Sequence, residues 1–460
     1  YILNLHGNSL KKETAPDGSK DENVFDIRQG VAIGLFIKNK NAHEPHVFYA
    51  DLYGLREKKY EWLNNHDFKN DIYTKIEPES PYYLFVKRDI EKIKQYLDWR
   101  RINEIFPVNS VGIVTSRDNF VIGYDRRELQ NRMMQFQNLS QPDEIILQAY
   151  NLKDKANWKI KNAREEISKI TNINEYIKKI LYRPFDERYI FYHQAIIERM
   201  RPEVMRHMLE ENIGLICNRQ IKTNTIKQFW ISDLIVDLHI LETAHASAYL
   251  FPLYIYPDKN KNDIFNQHPT RKEPNIKPEI FEKLESIYGE KPAPEDILYY
   301  IYAVFYSNIY RETYAEFLKI DFPRVPFTAN FNLFKKLAEL GKILVELHLL
   351  KSPLLDPPIA KYQGTGSNDR IEKVSYDNKN KRIYINNEKY FEGIEPEVWN
   401  YHIGGYQVLR KYLKDRKGRI MDEAPRYCKI ATALAKTIEI QKQIDNIYPE
   451  VEEELVQFDK

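Results

Sequence analysis

The chain has 460 residues, which corresponds to roughly three domains at about 150 residues each. Its 69 Lys and Arg residues nearly balance its 67 Asp and Glu residues, which excludes a wholly basic nucleic-acid binder but permits local basic patches. No apolar run approaches the length of about 18 residues that a transmembrane helix needs, so we expect no membrane partner. Two cysteines, Cys217 and Cys428, are too few for a disulfide framework and indicate a reducing compartment, the cytoplasm.

Residues 1–105 have the pattern of an α/β segment. A short apolar run at residues 1–5 ends at a His-Gly-Asn turn and precedes a polar loop. Residues 31–37 are apolar at successive positions, which predicts a strand buried between two layers. A further strand is predicted at residues 47–53.

Residues 106–270 mix strands with one helix. Apolar residues recur at helical spacing from Ile160 to Leu181, so we predict an amphipathic helix over about 157–181. Pro252 lies inside a predicted strand and indicates an edge strand or a bulge. A segment rich in Asn, Lys, Asp and Pro at residues 258–278 predicts a loop between subdomains. The predicted strands cover residues 111–115, 189–192, 214–217, 229–238 and 249–256.

Residues 271–350 are predicted to be helical, and residues 351–460 to combine a hairpin, a basic segment and a C-terminal helix. The evidence is apolar residues at helical spacing and two strand-like runs that flank a polar turn. The complete pattern predicts an α/β and α+β chain with several subdomains. The predicted elements are helices from Pro294 and over residues 334–348 and 425–448, and a hairpin formed by residues 373–376 and 382–385.

The sequence contains no recognisable catalytic or metal-binding motif. Neither His43 with His46 nor His239 with His245 has the spacing that places two imidazoles on one helix face, and no CxxC pair is present. A phosphate-binding glycine loop and a GxSxG nucleophile turn are also absent. We therefore predict no catalytic residue, no metal site and no cofactor held by this chain.

The strongest local signal is the basic segment at residues 409–419, LRKYLKDRKGR, which holds six basic residues and a single acidic one. It follows Gly404-Gly405, a turn that lets a backbone approach closely, and together these features indicate a phosphate backbone as ligand. The alternative is a solvated helix face. If the segment is helical, Arg410, Lys414 and Lys417 share one face. The predicted DNA contacts are Arg28, Arg126, Arg219, Lys222, Lys227, Tyr406, Gln407, Arg410, Lys411, Lys414, Arg416, Lys417 and Arg419.

Three blocks of the sequence carry a resemblance to a known family. The blocks are YILNLHGN with ENVFDIRQGVAIGLFIK at residues 1–37, YRPFDERYIFY at residues 182–192 with FPLYIYP behind it, and YFEGIEPEVWNYHIGGYQVLRKYLKDRKGR at residues 390–419 with ALAKTIEIQKQID behind it. They resemble the carboxy-terminal part of single-polypeptide Type I (Type ISP) restriction–modification enzymes and of related adenine-methylating Type IIG proteins, and they occur in the family's order over almost the whole chain.

The resemblance implies that residues 1–105 end a Rossmann-like methyltransferase sheet and that the remainder is a mixed α+β target recognition domain with a helical insertion. Family members place nuclease and helicase-like modules before a methyltransferase that uses S-adenosylmethionine. Their cofactor-binding glycine motif and Asn-Pro-Pro-aromatic motif are absent here, since Pro357-Pro358 follows Asp356. The resemblance therefore implies a recognition module that is inactive alone, with double-stranded DNA and the upstream modules as partners.

The resemblance also assigns a role to Phe25. Adenine methyltransferases of this kind carry an aromatic residue just before the strand that begins here at Val31, and its ring packs against the extruded target adenine. The alternative is a core residue that anchors the loop. For the whole chain, two alternatives to duplex DNA recognition remain: a non-catalytic scaffold that docks a catalytic subunit through Tyr-rich faces, and RNA binding.

Overall fold

The computed structural model of the chain describes residues 1–9, 13–38, 44–67, 72–78, 80, 83–86, 90–223, 226–241, 246–257 and 272–458. The chain divides into two compact units, Tyr1–Gln95 and Tyr96–Lys460. Most of the loop predicted at 258–278, together with His43 and His245, lies outside the described residues. None of the described helices is long and apolar enough to cross a membrane. The predicted domain boundaries at residues 105, 270 and 350 stay predictions.

The first unit is built on a small four-stranded sheet. Its elements, with the helix that follows, are β1 (Ile2–His6), β2 (Val31–Gly34), β3 (Val47–Asp51), α1 (Arg56–Asn65), β4 (Thr74–Ile76) and α2 (Ile90–Asp98). β1 pairs antiparallel with β2 and parallel with β3, which gives the strand order β2-β1-β3-β4. Leu3 and Leu5 of β1 pack with Val24 and Ala50 in the core of this unit.

Strand β2 differs from the buried strand predicted over residues 31–37. It ends at Gly34 and lies at the edge of its sheet, where Ile33 is 46% exposed and Phe36 is 77% exposed. An apolar strand is buried on both faces only where a layer covers each face, and these exposures show that β2 lacks such cover. The predicted burial is therefore wrong for the described chain. That the strand belongs to a Rossmann-like methyltransferase sheet stays a prediction.

The second unit contains most of the regular structure, in short elements. Its strands are β5 (Arg100–Arg101), β6 (Ser110–Val111), β7 (Ile122–Gly123), β8 (Ile177–Arg183), β9 (Asp186–Phe191), β10 (Gly214–Asn218), β11 (Phe229–Ser232), β12 (Ile235–Val236), β13 (Ala248–Pro252), β14 (Tyr254–Ile255), β15 (Glu273–Pro274), β16 (Arg324–Val325), β17 (Lys361–Gly364), β18 (Ser375–Asp377), β19 (Arg382–Tyr384), β20 (Lys389–Glu392), β21 (His402–Ile403) and β22 (Tyr406–Gln407). Its helices are α3 (Ile102–Ile105), α4 (Asp118–Val121), α5 (Arg126–Gln137), α6 (Asp143–Ala149), α7 (Ile160–Ile167), α8 (Pro202–Met205), α9 (Pro278–Tyr288), α10 (Pro294–Tyr306), α11 (Asn308–Thr313), α12 (Ala315–Leu318), α13 (Phe331–His348), α14 (Pro396–Trp399), α15 (Val408–Asp415) and α16 (Ala424–Ile447). This mixture of helices and several small sheets agrees with the predicted α/β and α+β class.

Two four-stranded sheets form the β core of the second unit, with strand orders β11-β10-β13-β6 and β12-β8-β9-β7. The single strand predicted over residues 229–238 is in fact β11 and β12, which belong to different sheets. The Ser232 hydroxyl oxygen accepts the Leu234 N–H at 2.9 Å in the turn between them. Pro252 is the last residue of an inner strand rather than part of an edge strand. Pro252 pairs with Gly214 of β10, whereas β6 on the other side pairs only with Tyr249 and Leu250 of β13. The missing N–H of Pro252 therefore removes no hydrogen bond between β13 and β6.

The helix predicted over residues 157–181 is much shorter. It is α7, which ends at Ile167, and Ile177 and Leu181 lie on strand β8. A spacing of four residues places two side chains on one side of a helix, but it also places them on one side of a strand, because four is a multiple of two. Pairing of β8 with β9 buries both residues, so long-range strand pairing decides between the two structures.

Three long helices, all predicted from the sequence, form the layer beside these sheets. α13 packs against both α10 and α16. At the centre, the His348 ring stacks on Trp230 at 4.4 Å, and its two ring nitrogens lie 2.7 Å from the Tyr302 hydroxyl and 2.9 Å from the Thr437 hydroxyl. Among the described residues, eight of the chain's 33 tyrosines are fully buried and so are not presented to a partner. The fully buried tyrosines are Tyr96, Tyr300, Tyr302, Tyr306, Tyr310, Tyr314, Tyr427 and Tyr448.

The predicted hairpin is confirmed as β18 and β19, which pair antiparallel and continue through β20 to β17. Helix α16 contacts both β17 and α15. Phe391 of β20 lies 4.4 Å from Tyr427 of α16 between ring centroids. The C-terminal sheet and the basic segment therefore share α16 as their common support.

Candidate nucleic-acid interface

The basic segment contains an amphipathic helix, α15, with one apolar face and one cationic face. Its buried residues are Val408, Leu409, Tyr412 and Leu413. Arg410 and Lys414 are exposed on the opposite face, and Lys417 is exposed just beyond the helix end. Within the described part of the chain, these three cations form no ion pair with a carboxylate. We call these three residues the cationic face of α15, although Lys417 lies two residues past the last helical residue, Asp415. That they contact DNA stays a prediction.

The other three cations of the segment have partners inside the protein. The Lys411 ammonium pairs with Asp415 at 2.6 Å. Arg416 is only 5% exposed, and its guanidinium donates to Asp186 at 2.9 Å and to Glu423 at 3.0 Å. Burial alone would lower the pKa of Arg416, but its acidic neighbours, Asp186 first, raise it, so its charge is fixed. Arg419 is exposed and lies over the Tyr124 ring at 4.5 Å. Arg416 is therefore a structural cation rather than a surface one.

The turn before α15 approaches the protein itself. The Gly404 N–H donates to the Lys227 carbonyl at 2.7 Å, and the Gly405 N–H donates to the Leu241 carbonyl at 2.9 Å. Gly404 has φ +56°, and a Cβ there would lie 1.9 Å from the Leu241 oxygen. The glycine is thus required for close packing of two backbone segments, which corrects the interpretation that it opens the backbone to a phosphate.

Two polar residues predicted to contact DNA beside this turn also point into the fold. Tyr406 is 5% exposed, and its hydroxyl donates to the His239 carbonyl at 2.8 Å. The Gln407 amide nitrogen donates to the Trp399 carbonyl at 2.8 Å. Both side chains are used to hold the strand pair β21–β22 in place.

The remaining predicted contacts are spread over both units. Arg28 is exposed in the first unit, and Arg126 is exposed at the start of α5, where it donates to the Asn174 carbonyl at 3.3 Å. Arg219 pairs with Asp321 at 2.8 Å, and it lines a polar cavity of about 300 Å³ together with the exposed Lys222. Lys227 is half-buried, and burial followed by repulsion from Arg311 lowers its pKa. Arg219 and Lys222 thus line the same cavity.

Arg370 is a surface cation that sequence reasoning missed. It is exposed, and its guanidinium donates to the Gly418 carbonyl, immediately beside Lys417 and Arg419. The two chain segments are joined by hydrogen bonds from the Ile371 N–H to the Arg419 carbonyl and from the Gly418 N–H back to Ile371. No local sequence pattern predicts that Arg370 lies beside the basic segment, because their proximity depends on hydrogen bonds between two segments that are far apart in sequence.

Phe25 projects from a loop whose backbone is held firmly. Its N–H donates to the Asn23 side chain at 2.8 Å, and its carbonyl accepts from Arg56 at 3.0 Å. The Tyr60 hydroxyl donates to the Val24 carbonyl next to it. The Phe25 ring is nevertheless 55% exposed, so the alternative of a core residue is wrong. Asn23, Arg56 and Tyr60 are supporting residues that the sequence did not indicate.

No metal centre or reactive thiol is found in the part of the chain that the structure describes. It contains no group of three or more His, Cys, Asp and Glu side chains that could hold a metal ion. Cys217 and Cys428 are both buried and unpaired, and burial raises the pKa of each thiol. A buried thiol of raised pKa is a poor nucleophile.

Comparisons with known proteins give a family model and several solved structures that are similar to the chain. The family model described as "Type ISP C-terminal specificity domain" matches residues 104–443. No curated protein sequence matches the chain significantly. The chain is similar, over 96% of its length, to solved structures of a nuclease-deletion mutant of the Type ISP restriction-modification enzyme LlaGI in complex with a DNA substrate mimic (TM-score 0.63, 21% identity), of a DrdV–DNA complex (0.64, 21%) and of the ATP-dependent Type ISP enzyme LlaBIII bound to DNA (0.65, 20%). It covers 36%, 47% and 30% of those chains, respectively, and thus less than half of each.

Proposed function

The chain belongs to the family of Type ISP C-terminal specificity domains, and from that premise we propose that it recognises double-stranded DNA through the cationic face of α15. In this proposal it serves as the target recognition module of a restriction–modification adenine methyltransferase. Three proteins of similar fold have been solved with DNA or a DNA mimic, which supports the proposal.

The observation that carries the proposal is the cationic face of α15. Arg410, Lys414 and Lys417 are exposed without a carboxylate partner among the described residues, although the chain as a whole is nearly neutral. Arg370 and Arg419 lie at the end of the same surface. Cations that stay unneutralised on one side of a helix attract a polyanion, and phosphate contacts fix the position of a protein on a duplex.

Direct binding of the chain to a DNA duplex tests the proposal. Affinity should be measurable at about 50 mM salt and should fall steeply towards about 200 mM, because cation–phosphate contacts release counterions. Absence of binding at low salt, with a protein partner bound instead, would favour the scaffold alternative. A preference for RNA over duplex DNA of equal length would favour the RNA alternative.

We extend the proposal to the intact enzyme, in which upstream nuclease, helicase-like and methyltransferase modules would supply the chemistry. S-adenosylmethionine would bind there rather than here. A cavity of 730 Å³ in the first unit combines apolar side chains such as Phe36 with the charged Lys38 and Glu44. The sequence lacks both the glycine motif and the Asn-Pro-Pro-aromatic motif that hold this cofactor in the family. This chain alone is therefore expected to bind no cofactor and to methylate no DNA. In the intact enzyme, the exposed ring of Phe25 would stack on the extruded adenine.

A further inference from the structure

We propose that Asp186 is a positioning residue for the cationic face of α15. The inference rests on the proposed function, and it adds how that surface is held in place. Asp186 lies in the YRPFDERYIFY block, far from the basic segment in sequence, and no charge or spacing pattern connects the two.

The Asp186 carboxylate is buried and joins two arginines. It is 2% exposed, and its Oδ1 accepts a hydrogen bond from Arg416 at 2.9 Å. Its Oδ2 accepts from Arg188 Nε at 3.0 Å and from Arg188 Nη2 at 2.7 Å. Both carboxylate oxygens are therefore occupied by charge-assisted hydrogen bonds, so Asp186 fixes the side chain of Arg416 rather than facing solvent.

These contacts clamp the C-terminal end of α15 from outside the helix. Arg416 follows the last helical residue, Asp415, directly. Arg188 also pairs with Asp415 at 3.5 Å, and the Tyr124 hydroxyl donates to the Asp415 carbonyl at 2.9 Å. The Tyr124 ring lies under Arg188 at 4.3 Å, which completes the contact. The last carbonyls of a helix normally lack partners within the helix, and such an end frays easily. The end of α15 is instead held by the side chains of Asp186, Arg188 and Tyr124.

The exposed cations are neighbours in sequence of the residues that these contacts hold. Lys414 and Lys417 flank Asp415 and Arg416, and Arg419 lies over the same Tyr124 ring at 4.5 Å. A surface that must be ordered on binding loses affinity, whereas a surface ordered beforehand does not. Asp186 would thus strengthen DNA binding although its own charge is negative and it contacts no ligand.

The test uses the full chain with three variants. Asp186→Asn removes the carboxylate. The paired variant Asp186→Asn/Arg416→Gln also removes the Arg416 charge, so that Arg416 is not left buried without Asp186 if the single variant fails to fold, and Arg188 keeps its ion pair with Asp415. Glu187→Gln is the matched control, because its carboxylate, on the next residue of the same strand, pairs with Arg426 of α16 at 2.6 Å and not with α15.

Hydrogen–deuterium exchange without DNA is the first measurement. Exchange over residues 411–419 should become faster in the folded Asp186 variants and stay as in the wild type in Glu187→Gln. Unchanged exchange in a folded Asp186 variant would overturn the inference. The exchange measurement uses no DNA, so it tests the positioning role independently of DNA binding. If the wild-type chain bound no duplex, the proposed function would be refuted, but the exchange rates would still show whether Asp186 orders residues 411–419.

Affinity for a duplex is the second measurement. It is made for the Asp186 variants in the otherwise wild-type chain and again in a chain that also carries Lys414→Ala/Lys417→Ala. The Asp186 variants should raise Kd by about three- to ten-fold, which corresponds to ordering one or two long side chains on binding. In the alanine background they should add little, because the cations that Asp186 positions are gone. A full, additive loss in that background would show a general structural role and would refute the inference.

Discussion

Replacing Arg410, Lys414 and Lys417 together by Ala is the most direct test of the cationic face of α15. The three side chains are exposed and lack carboxylate partners in the described structure, so their removal should not disturb the fold. Each phosphate that a cation neutralises contributes about −0.9 to the slope of log affinity against log salt. If all three reach phosphates, the triple variant should flatten that slope by about 2 to 3.

The assay is fluorescence anisotropy of a labelled duplex at several salt concentrations, for a cognate and a random sequence. The variant should weaken binding to both duplexes alike, because phosphate contacts position a protein without reading bases. A matched control is the triple Ala variant of Lys336, Lys342 and Lys442, three exposed lysines on α13 and α16. It removes the same charge and should leave the slope near the wild-type value.

Two results would refute the reasoning. Loss of discrimination between the duplexes with an unchanged slope would mean that these side chains read base edges instead of phosphates. Equal slopes for the wild type, the variant and the control would mean that α15 presents an ordinary solvated face.

The remaining predictions concern three positions. In the intact enzyme, Phe25→Ala should reduce methylation by about ten- to hundred-fold with little change in duplex affinity, because a stacking contact is worth about 1–3 kcal/mol. The control Phe36→Ala, which removes another exposed aromatic ring of the same unit, should leave methylation unchanged. Gly404→Ala should lower the free energy of unfolding in a urea titration by more than about 3 kcal/mol, since a Cβ meets a backbone oxygen there, and Gly418→Ala, where that space is open, by about 1–2 kcal/mol. Burial lowers the pKa of His348 to about 3, so the unfolded chain, with a pKa of about 6.5, takes up the proton first. The contribution of neutral His348 to the free energy of unfolding should therefore be fully present above about pH 6.5 and should be lost as the pH drops towards 3. In urea titrations at several pH values, His348→Gln should lose less stability over that range than the wild type.

The sequence predicted the elements that depend on local periodicity. The helices at Pro294, 334–348 and 425–448 and the C-terminal hairpin are present because their apolar spacing matches one secondary structure only. The face of α15 was predictable for the same reason. The region 157–181 was not, because a spacing of four residues suits a strand as well as a helix, and the pairing of β8 with β9 settles the matter.

Helical spacing predicts which side chains of the basic segment are exposed, and the candidate site was predictable only to that extent. Arg410 and Arg416 look equivalent in the sequence, yet one is exposed and the other is buried against Asp186. The glycine turn at Gly404 was interpreted as an approach to a phosphate, whereas the backbone that it approaches is the Leu241 carbonyl. In each case the deciding neighbour is more than a hundred residues away, and composition carries no information about it.

Charge counting therefore overestimates what the basic segment offers to a polyanion. Of its six cations, Arg416 is neutralised by Asp186 and Glu423 inside the fold, and Lys411 by Asp415 at its surface. What remains for phosphates is Arg410, Lys414, Lys417 and Arg419. Four such contacts would give a salt slope of about −3.6, and the neighbouring Arg370 could add about −0.9 more. A steeper slope would require cations outside this surface. Of the DNA contacts predicted from the sequence, Arg126 and Lys222 are exposed elsewhere in the same unit, whereas Arg219 is paired with Asp321.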